Sequence, residues 1–304
     1  MRVLVTGAGG FIGAHVVRAL ARQGHTVFAA RRKRNMTESQ ERQSDEVHFV
    51  ELDMRDDSGV RSTVRQIRPD VTVHLAWCKV TGKFWTDPAN LDWVNTTTSL
   101  ARAVAEEGCR RLVVAGSCAE YDWDFGFLSE ECTPLKPRTL YGACKNALRE
   151  MLEAYALDAS MQLAWTRLFY LYGPGEDKTR FIPSIILPLL HGQTAKCTRG
   201  EQMRDFLHVE DMAGAISAVA TSNFTGAINI GSGLPVKIRT IVETIARILE
   251  CSDRLLIGGL PDNPCEPPLL VADVRKLNRE IDWRPSHTLD EGLQLTVDWW
   301  RANS

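Results

Sequence analysis

Tyr141 and Lys145 are the residues whose types and spacing most directly suggest chemistry. They stand four positions apart, so on a helix they share one face. An ammonium group beside a phenol favours the phenolate, which predicts a pKa of Tyr141 lowered towards neutrality, where the phenol can donate or accept a proton. The hydroxyl of Ser117 could bind the same carbonyl or alcohol oxygen. The alternative is a chance spacing within an ordinary helix.

A glycine-rich turn near the N-terminus gives this pair a context. Arg2–Thr6 reads as a buried parallel strand, the sequence Gly7-Ala-Gly-Gly10-Phe11-Ile12-Gly13 follows it, and an apolar-periodic helix comes next. In such a strand–turn–helix unit the backbone N–H groups approach a pyrophosphate and the helix dipole favours it. The segment therefore predicts a dinucleotide site, the alternative being a tight turn without a ligand.

The G-x-x-G-x-x-G spacing and the Tyr-x-x-x-Lys pair resemble the extended branch of the short-chain dehydrogenase/reductase superfamily. That branch contains nucleotide-sugar epimerases, dehydratases and ketoreductases, and the resemblance covers nearly the whole chain. It implies an α/β fold, a Rossmann-type doubly wound parallel sheet with a smaller C-terminal substrate-binding lobe. Residues 1–175 with about 206–232 would form the dinucleotide-binding domain, and 176–205 with 233–304 the lobe. It also implies a homodimer built on helices around 86–107 and 140–157.

The predicted strands place the other candidate residues along the chain. Apolar runs predict strands over Thr26–Ala30, Val47–Leu52, Val71–Trp77, Arg111–Gly116 and Met161–Leu171. At the tip of the second strand an acidic residue would bind the adenosine ribose, but here the chain has Arg31-Arg32-Lys33-Arg34. Because arginine provides a planar bidentate donor for a 2′-phosphate, the tip favours NADP(H) over NAD(H). A solvated basic loop is the alternative.

By resemblance, further residues are assigned to the two ligands. Those expected at the cofactor, besides the glycine turn, Arg31, Arg32, Tyr141 and Lys145, are Asp53, Met54, Leu75, Ala76, Trp77 and Asn95. Those expected at the nucleotide sugar, besides Ser117 and Tyr141, are Cys118, Tyr170 and Arg204, with a surface salt bridge as the alternative for Arg204. Lys79 is expected there because its loop follows the carboxyl end of a strand, where open α/β sheets bind ligands, the alternative being an ordinary exposed connection. Tyr170 stands where the family often has Asn. The family also often carries a phosphate-binding Arg before Glu266, where this chain has residues 262–265 of sequence Asp-Asn-Pro-Cys.

One departure from the family bears on the reaction. The related 4,6-dehydratases follow their catalytic hydroxyl residue with Asp-Glu, the acid and base of water elimination. Here those places hold Cys118 and Ala119, and Glu120 comes one position late. On a strand-like backbone Glu120 would point to the other side, so elimination by that route is not expected.

The resemblance leads to an expected reaction. It is the NADPH-dependent reduction of a nucleotide-linked 4-keto-6-deoxy sugar, with Tyr141 as proton donor, Lys145 holding the ribose and Ser117 binding the carbonyl oxygen. The first alternative is a nucleotide-sugar epimerase, or an atypical dehydratase, that retains and recycles its NAD(P). The second is a cofactor-sensing or scaffold protein without activity, which the presence of Ser117, Tyr141 and Lys145 disfavours.

Composition limits the partners. The net charge of −2 gives no electrostatic case for nucleic acid or an anionic membrane. Eight scattered cysteines without a C-x-x-C pair indicate free thiols rather than disulfides or a metal site. The first residues run straight into a strand, and no apolar run is long enough to span a bilayer, so we expect a cytoplasmic protein.

Overall fold

A computed structural model describes residues 1–32, 46–77 and 83–304. Lys79 and the basic residues 33 and 34 therefore lie outside the described residues. The first part of the chain contains β1 (Arg2–Thr6), α1 (Phe11–Arg22), β2 (Thr26–Arg31), β3 (Val47–Glu51), α2 (Asp57–Ile67), β4 (Val71–His74), α3 (Ala89–Glu106), β5 (Arg111–Ser117), β6 (Phe127–Leu128), α4 (Leu140–Asp158) and β7 (Gln162–Leu168).

The second part of the chain adds shorter strands and further helices. These are β8 (Tyr170–Tyr172), α5 (Phe181–Leu190), β9 (Ala195–Cys197), β10 (Met203–His208), α6 (Val209–Thr221), β11 (Gly226–Ile230), β12 (Pro235–Lys237), α7 (Ile238–Ile248), β13 (Leu255–Ile257), β14 (Leu269–Ala272), α8 (Arg275–Ile281) and α9 (Leu289–Asn303).

Seven strands form a parallel sheet in the order β11-β7-β5-β4-β1-β2-β3. Successive strand residues point to opposite faces, so β1 sends Val3 and Val5 into one core and Leu4 into the other. The first core packs against α1 and α6, and the second against α2, α3 and α4. The predicted doubly wound parallel sheet is confirmed.

The C-terminal segments build a second, smaller assembly. A sheet of order β12-β10-β14-β6 has β8 beside β10, and a third hydrophobic cluster joins α5, α7 and α9. The predicted strand over residues 161–171 is wrong as one element: β7 belongs to the main sheet and β8 pairs with β10. The chain changes sheets at Phe169, whose N–H donates to the carbonyl of Ile230.

Two other strands end earlier than the sequence predicts. The fourth stops at His74, because Leu75, Ala76 and Trp77 form an irregular crossing over the glycine turn, and the third stops at Glu51. Among the described residues, no helix is both long and apolar enough to cross a membrane. Each cysteine within them is a free thiol.

Candidate active site

Ser117 and Tyr141 meet where β5 ends and α4 begins. The side chain of Thr139 caps α4 by accepting a hydrogen bond from the N–H of Gly142 at 3.1 Å, which fixes Tyr141 in the first turn. Gly142 is required there, since a Cβ would lie 2.2 Å from the carbonyl oxygen of Ala119. The Ser117 hydroxyl interacts with the phenol of Tyr141. The sheet and the helix cap thus bring the predicted serine and tyrosine together.

Aromatic rings surround Tyr141. Trp77, Phe84 and Trp85 meet its ring edge-on, with centroids 6.3, 5.4 and 5.6 Å away. Burial raises the pKa of Tyr141, an effect that the Ser117 hydroxyl and the Arg180 guanidinium only partly offset. The lowered pKa predicted from the sequence is therefore wrong for this structure.

The position of Lys145 explains that result. Its side chain is 2% exposed, and its ammonium donates to the carbonyl of Ala115 at 2.8 Å. The ammonium also lies 3.5 Å from the centre of the Trp77 ring, but 5.9 Å from that of Tyr141. Burial lowers the pKa of Lys145 to about 7. Lys145 thus shares the site with Tyr141 without stabilising a phenolate in this arrangement.

The Glu120 carboxylate is held by buried hydrogen bonds beneath Ser117. Residues Cys118–Glu120 form a 3₁₀ turn, and the Glu120 carboxylate accepts hydrogen bonds from the Ser117 N–H at 2.7 Å and from Arg167 Nε at 2.7 Å. The prediction that the Glu120 side chain points to the other side is confirmed, since its carboxylate binds Arg167. The predicted strand-like backbone is wrong, because Glu120 lies in a 3₁₀ turn. This carboxylate supports the backbone of Ser117 from below.

The glycine turn fits a dinucleotide. Gly7 has a left-handed φ of +73°, and a Cβ on it would lie 2.7 Å from the backbone nitrogen of Ala76. A Cβ on Gly13 would lie 2.2 Å from the carbonyl oxygen of Gly7. Helix α1 begins after Gly10 without a side-chain cap, so no side chain satisfies the first N–H groups, those of Phe11, Ile12 and Gly13, and they are available to an anionic ligand. The close backbone approach places Leu75 and Ala76 beside this turn.

The tip of β2 differs from a simple phosphate-binding loop. Arg31 is buried, and its guanidinium lies 4.0 Å from the centre of the Phe49 ring. Arg32 is exposed. Asp53 is exposed and paired with Arg55, whose hydrogen bonds lower the pKa of Asp53, and Arg32 lowers it further. Next to it, Met54 is buried in the core beneath the tip. The second cation, Arg32, is the one that this arrangement presents to solvent.

A buried asparagine of α3 that the sequence analysis did not single out, Asn90, holds Trp77 beside the site. Asn90 is fully buried, donates to the carbonyls of Phe84 and Asp87, and accepts a hydrogen bond from the Trp77 indole at 2.8 Å. The predicted Asn95 lies about one and a half turns further along α3 and is exposed, and its place at the cofactor stays a prediction. The Asp87-Pro88 helix start just before Asn90 is the signal that could have identified it.

Of the substrate candidates, Cys118 and Tyr170 share a fourth hydrophobic cluster, and Arg204 lies on β10 of the second sheet. Cys118 is buried, which raises its pKa to about 12 and keeps it a thiol. Arg204 is 2% exposed, lies over the ring of Tyr170 at 5.8 Å and donates to Glu266 at 2.7 Å. The expected phosphate ligand Arg204 is thus held by Glu266.

Comparisons with known proteins agree with this geometry. Residues 3–231 match the sequence profile of the NAD dependent epimerase/dehydratase family. The chain is 26% identical over 340 residues to a dTDP-glucose 4,6-dehydratase of Salmonella typhimurium, covering 100% of this chain and 94% of the relative. It is 28% identical over 324 residues to a UDP-glucose 4-epimerase of Mycolicibacterium smegmatis, covering 100% of both.

A solved structure shows the same fold at similar identity. The UDP-glucose 4-epimerase of Thermus thermophilus, in complex with NAD, aligns over 100% of both chains with a TM-score of 0.84 and 26% sequence identity. The resemblance read from the glycine turn and the Tyr-x-x-x-Lys pair is confirmed. This chain belongs to the NAD-dependent epimerase/dehydratase family.

Proposed function

We propose that this chain is a nucleotide-sugar epimerase that retains its nicotinamide cofactor. The family match and the epimerases among its relatives support this proposal over a net reduction. The observation that carries it is the contact of Ser117 with Tyr141, beside the buried Lys145, while Glu120 is held beneath them. Ser117 and Tyr141 are therefore suited to binding a sugar hydroxyl and moving its proton, whereas the Glu120 carboxylate is already paired with Arg167.

The chain's own residues would handle the sugar oxygen. A bound nicotinamide cofactor supplies the acceptor and donor of a hydride. As a sugar C–H and O–H become a carbonyl, the phenolate form of Tyr141 would take the hydroxyl proton and Ser117 would hold the oxygen by hydrogen bonding. Forming that phenolate requires the Lys145 ammonium to come closer to the phenol than it does in this structure, where it lies 5.9 Å from the centre of the ring. Tyr141 would give the proton back when the carbonyl is reduced on its other face. Lys145, whose pKa is about 7, lies close to its own titration point at neutral pH.

Elimination is disfavoured by the residues after Ser117. Cys118 and Ala119 occupy the places of the dehydratase acid and base, and burial raises the pKa of Cys118 to about 12. A thiol with that pKa is a weak acid at neutral pH. Ala119 has no ionisable group. These two positions distinguish this chain from the dehydratases that it resembles in sequence.

An NADPH-dependent ketoreductase is the second candidate, because of the tip of β2. Arg31 and Arg32 stand where a family member of the acidic type would bind the ribose, and Arg32 faces solvent. A 2′-phosphate would suit these guanidinium groups. The packing of Arg31 on Phe49 limits its reach in this structure. The preference for NADP(H) over NAD(H) therefore stays a prediction.

One experiment separates the two functions. The purified protein is denatured, and the released cofactor is identified as NAD or NADP in its oxidised or reduced form. Native protein is then incubated with UDP- and dTDP-linked hexoses and 4-keto-6-deoxy sugars, and product and absorbance at the NADPH band are followed together. We expect copurified cofactor and epimer formation without net oxidation of NADPH. Stoichiometric NADPH consumption would instead establish the ketoreductase.

Tyr141→Phe tests the assignment of the proton carrier. We expect a loss of about 10²- to 10⁴-fold in kcat, since general acid–base catalysis contributes that range. Tyr155→Phe is the matched control, because it makes the same change on the same helix about four turns away. Equal activity of both variants would contradict the mechanism.

The homodimer expected from the resemblance also stays a prediction. Leu91 on α3 and Met151 and Leu157 on α4 are exposed apolar side chains on the two helices named for it. Light scattering of the purified protein gives its mass directly. A twofold multiple of 34.0 kDa is expected, and Met151→Glu should shift the equilibrium towards monomer.

A further inference from the structure

Two histidines and a carboxylate come together away from the proposed active site. One ligand atom each of His208, Glu210 and His287 lies within 4.8 Å of the other two. The rings of His208 and His287 are 4.6 Å apart between centroids. His208 ends β10, Glu210 lies in the first turn of α6, and His287 immediately precedes the N-cap of α9. The three residues therefore join the dinucleotide-binding side of the molecule to the C-terminal lobe.

His208 is a buried side chain with unsatisfied nitrogens. It is 2% exposed, and among the described residues neither Nδ1 nor Nε2 has a hydrogen-bond partner. An unsatisfied buried polar group costs about 1–3 kcal/mol, so such groups are rare in folded proteins. The ring is held closely, since a Cβ on Gly173 would lie 3.2 Å from its Nε2 and one on Gly292 3.3 Å from its Cδ2. A ligand at a His208 nitrogen would remove this cost.

The second histidine is oriented as metal-binding histidines are. Nδ1 of His287 lies 3.1 Å from Oδ2 of Asp211, whose side chain is 4% exposed. Asp211 is itself fixed by the N–H and hydroxyl of Ser286, at 3.0 and 2.6 Å. A carboxylate that binds one imidazole nitrogen fixes the tautomer and leaves the other nitrogen to a metal. His287 is thus left with Nε2 as a ligand atom.

We propose that His208, Glu210 and His287 form a zinc site. Two imidazoles and one carboxylate are a donor set that Zn²⁺ accepts with a fourth position open, whereas Mg²⁺ and Ca²⁺ prefer oxygen ligands. Tetrahedral zinc bonds of about 2.0–2.2 Å place ligand atoms about 3.3–3.6 Å apart. The three ligand atoms now lie within 4.8 Å of one another, and the exposed Glu210 side chain can rotate to bring its carboxylate oxygen closer to the two imidazoles.

The neighbouring His15 does not complete the ligand set. Its Nε2 lies 3.2 Å from the carbonyl oxygen of Pro174, and its Nδ1 lies 3.0 Å from Arg18. Water is therefore the expected fourth ligand. Because the three protein ligands come from two packed parts of the fold, bound zinc would stabilise their docking, and the apparent stability would rise with zinc concentration.

The test measures metal binding rather than activity, so its outcome is independent of the proposed function. Chelator-treated, dialysed full-length protein is titrated with ZnCl₂ by calorimetry, and its melting temperature is recorded with and without zinc. We expect one zinc ion per chain and a higher melting temperature. Glu210→Gln and His287→Gln should each weaken zinc binding by at least about 10-fold, since even loss of an outer-shell partner costs 10- to 100-fold.

The controls address folding and adventitious binding. Glu210 is exposed, so Glu210→Gln is expected to keep the native circular dichroism spectrum. His191→Gln removes an exposed histidine at the end of α5 and should leave zinc binding unchanged. MgCl₂ should give no shift. Absence of zinc binding by the wild type, or equal affinity in Glu210→Gln, His287→Gln and the wild type, would overturn the proposal.

Discussion

Arg167 and Glu120 form a buried ion pair directly beneath the end of β5. Nε of Arg167 donates to Oε2 of Glu120 at 2.7 Å, and the two side chains are 2% and 0% exposed. The same carboxylate accepts hydrogen bonds from the indole of Trp165 and the N–H of Ser117. Ser117 is therefore positioned by a buried charge that contacts three donors at once.

Removing the charge of Glu120 should strongly destabilise the fold. Glu120→Gln leaves Arg167 buried without an anionic partner, and breaking such a pair costs about 3–5 kcal/mol. Equilibrium urea denaturation measures the change in the free energy of unfolding. Glu243→Gln, which breaks the exposed pair with Arg239 on α7, should cost less than about 0.5 kcal/mol. Similar costs for both variants would contradict the role given to Glu120.

The hydroxyl of Ser117 should matter for rate more than for stability. Its Oγ accepts a hydrogen bond from the N–H of Ala119 at 3.2 Å and also interacts with Tyr141. Loss of one donor to a reacting oxygen lowers kcat by about 10²- to 10³-fold, so we expect that loss for Ser117→Ala. Ser117→Thr keeps the hydroxyl and should retain most of the activity. Steady-state kinetics decides, and full activity of the alanine variant would exclude Ser117 from the mechanism.

Cofactor binding should fail when a methyl group enters the glycine turn. In Gly13→Ala the new Cβ would lie 2.2 Å from the carbonyl oxygen of Gly7, so the turn must open. We expect loss of copurified cofactor and no binding of added NAD or NADP by calorimetry. Gly24→Ala is the control: it strains a φ of +79° but has open space around the Cβ, so it should lower stability and keep the cofactor. Retention of cofactor by Gly13→Ala would contradict this site.

The sequence predicts the frame of the site because local patterns determine it. The apolar run of β1, the glycine turn and the Tyr141–Lys145 spacing each act over a few residues, and the structure assembles them as expected. Strand ends are harder, because an apolar run such as Leu75–Trp77 can continue into an irregular crossing. The change of sheet at Phe169 depends on β10, which is distant in sequence.

The electrostatics of the site depend on contacts that the sequence does not reveal. Lys145 stands next to Tyr141 on one helix face, yet its ammonium faces the carbonyl of Ala115 and the ring of Trp77. Burial is then the largest effect on both groups: it raises the pKa of Tyr141 and lowers the pKa of Lys145. The histidine cluster was missed for a similar reason, since His208 and His287 are far apart in sequence and meet only through the packing of α6 against the segment before α9.

Glu266 should compete with substrate for Arg204. The Arg204 guanidinium donates to Glu266 at 2.7 Å, and a nucleotide diphosphate that binds Arg204 would have to displace this carboxylate. Glu266→Gln should therefore lower KM for the nucleotide sugar several-fold with little change in kcat, whereas Arg204→Met should raise KM. Unchanged KM in both variants would indicate a purely structural ion pair.

Lys145 should make the stability of the protein depend on pH. Burial lowers its pKa from 10.5 to about 7, so between these values the unfolded chain binds more protons than the folded chain. The free energy of unfolding contributed by this group therefore rises with pH from about 7 to 10.5 and is lowest below 7.

Lys145→Met removes this titration and keeps much of the side-chain volume. We expect the variant to be inactive but more stable than the wild type at about pH 6, with the difference shrinking as the pH is raised to about 9.5. Urea denaturation of both proteins at the two pH values measures this difference in the free energy of unfolding. Lys196→Met changes an exposed lysine of β9 and should alter stability by less than about 0.5 kcal/mol at both. A wild type that is the more stable protein at the lower pH would show that the contacts with Ala115 and Trp77 outweigh the desolvation of the ammonium.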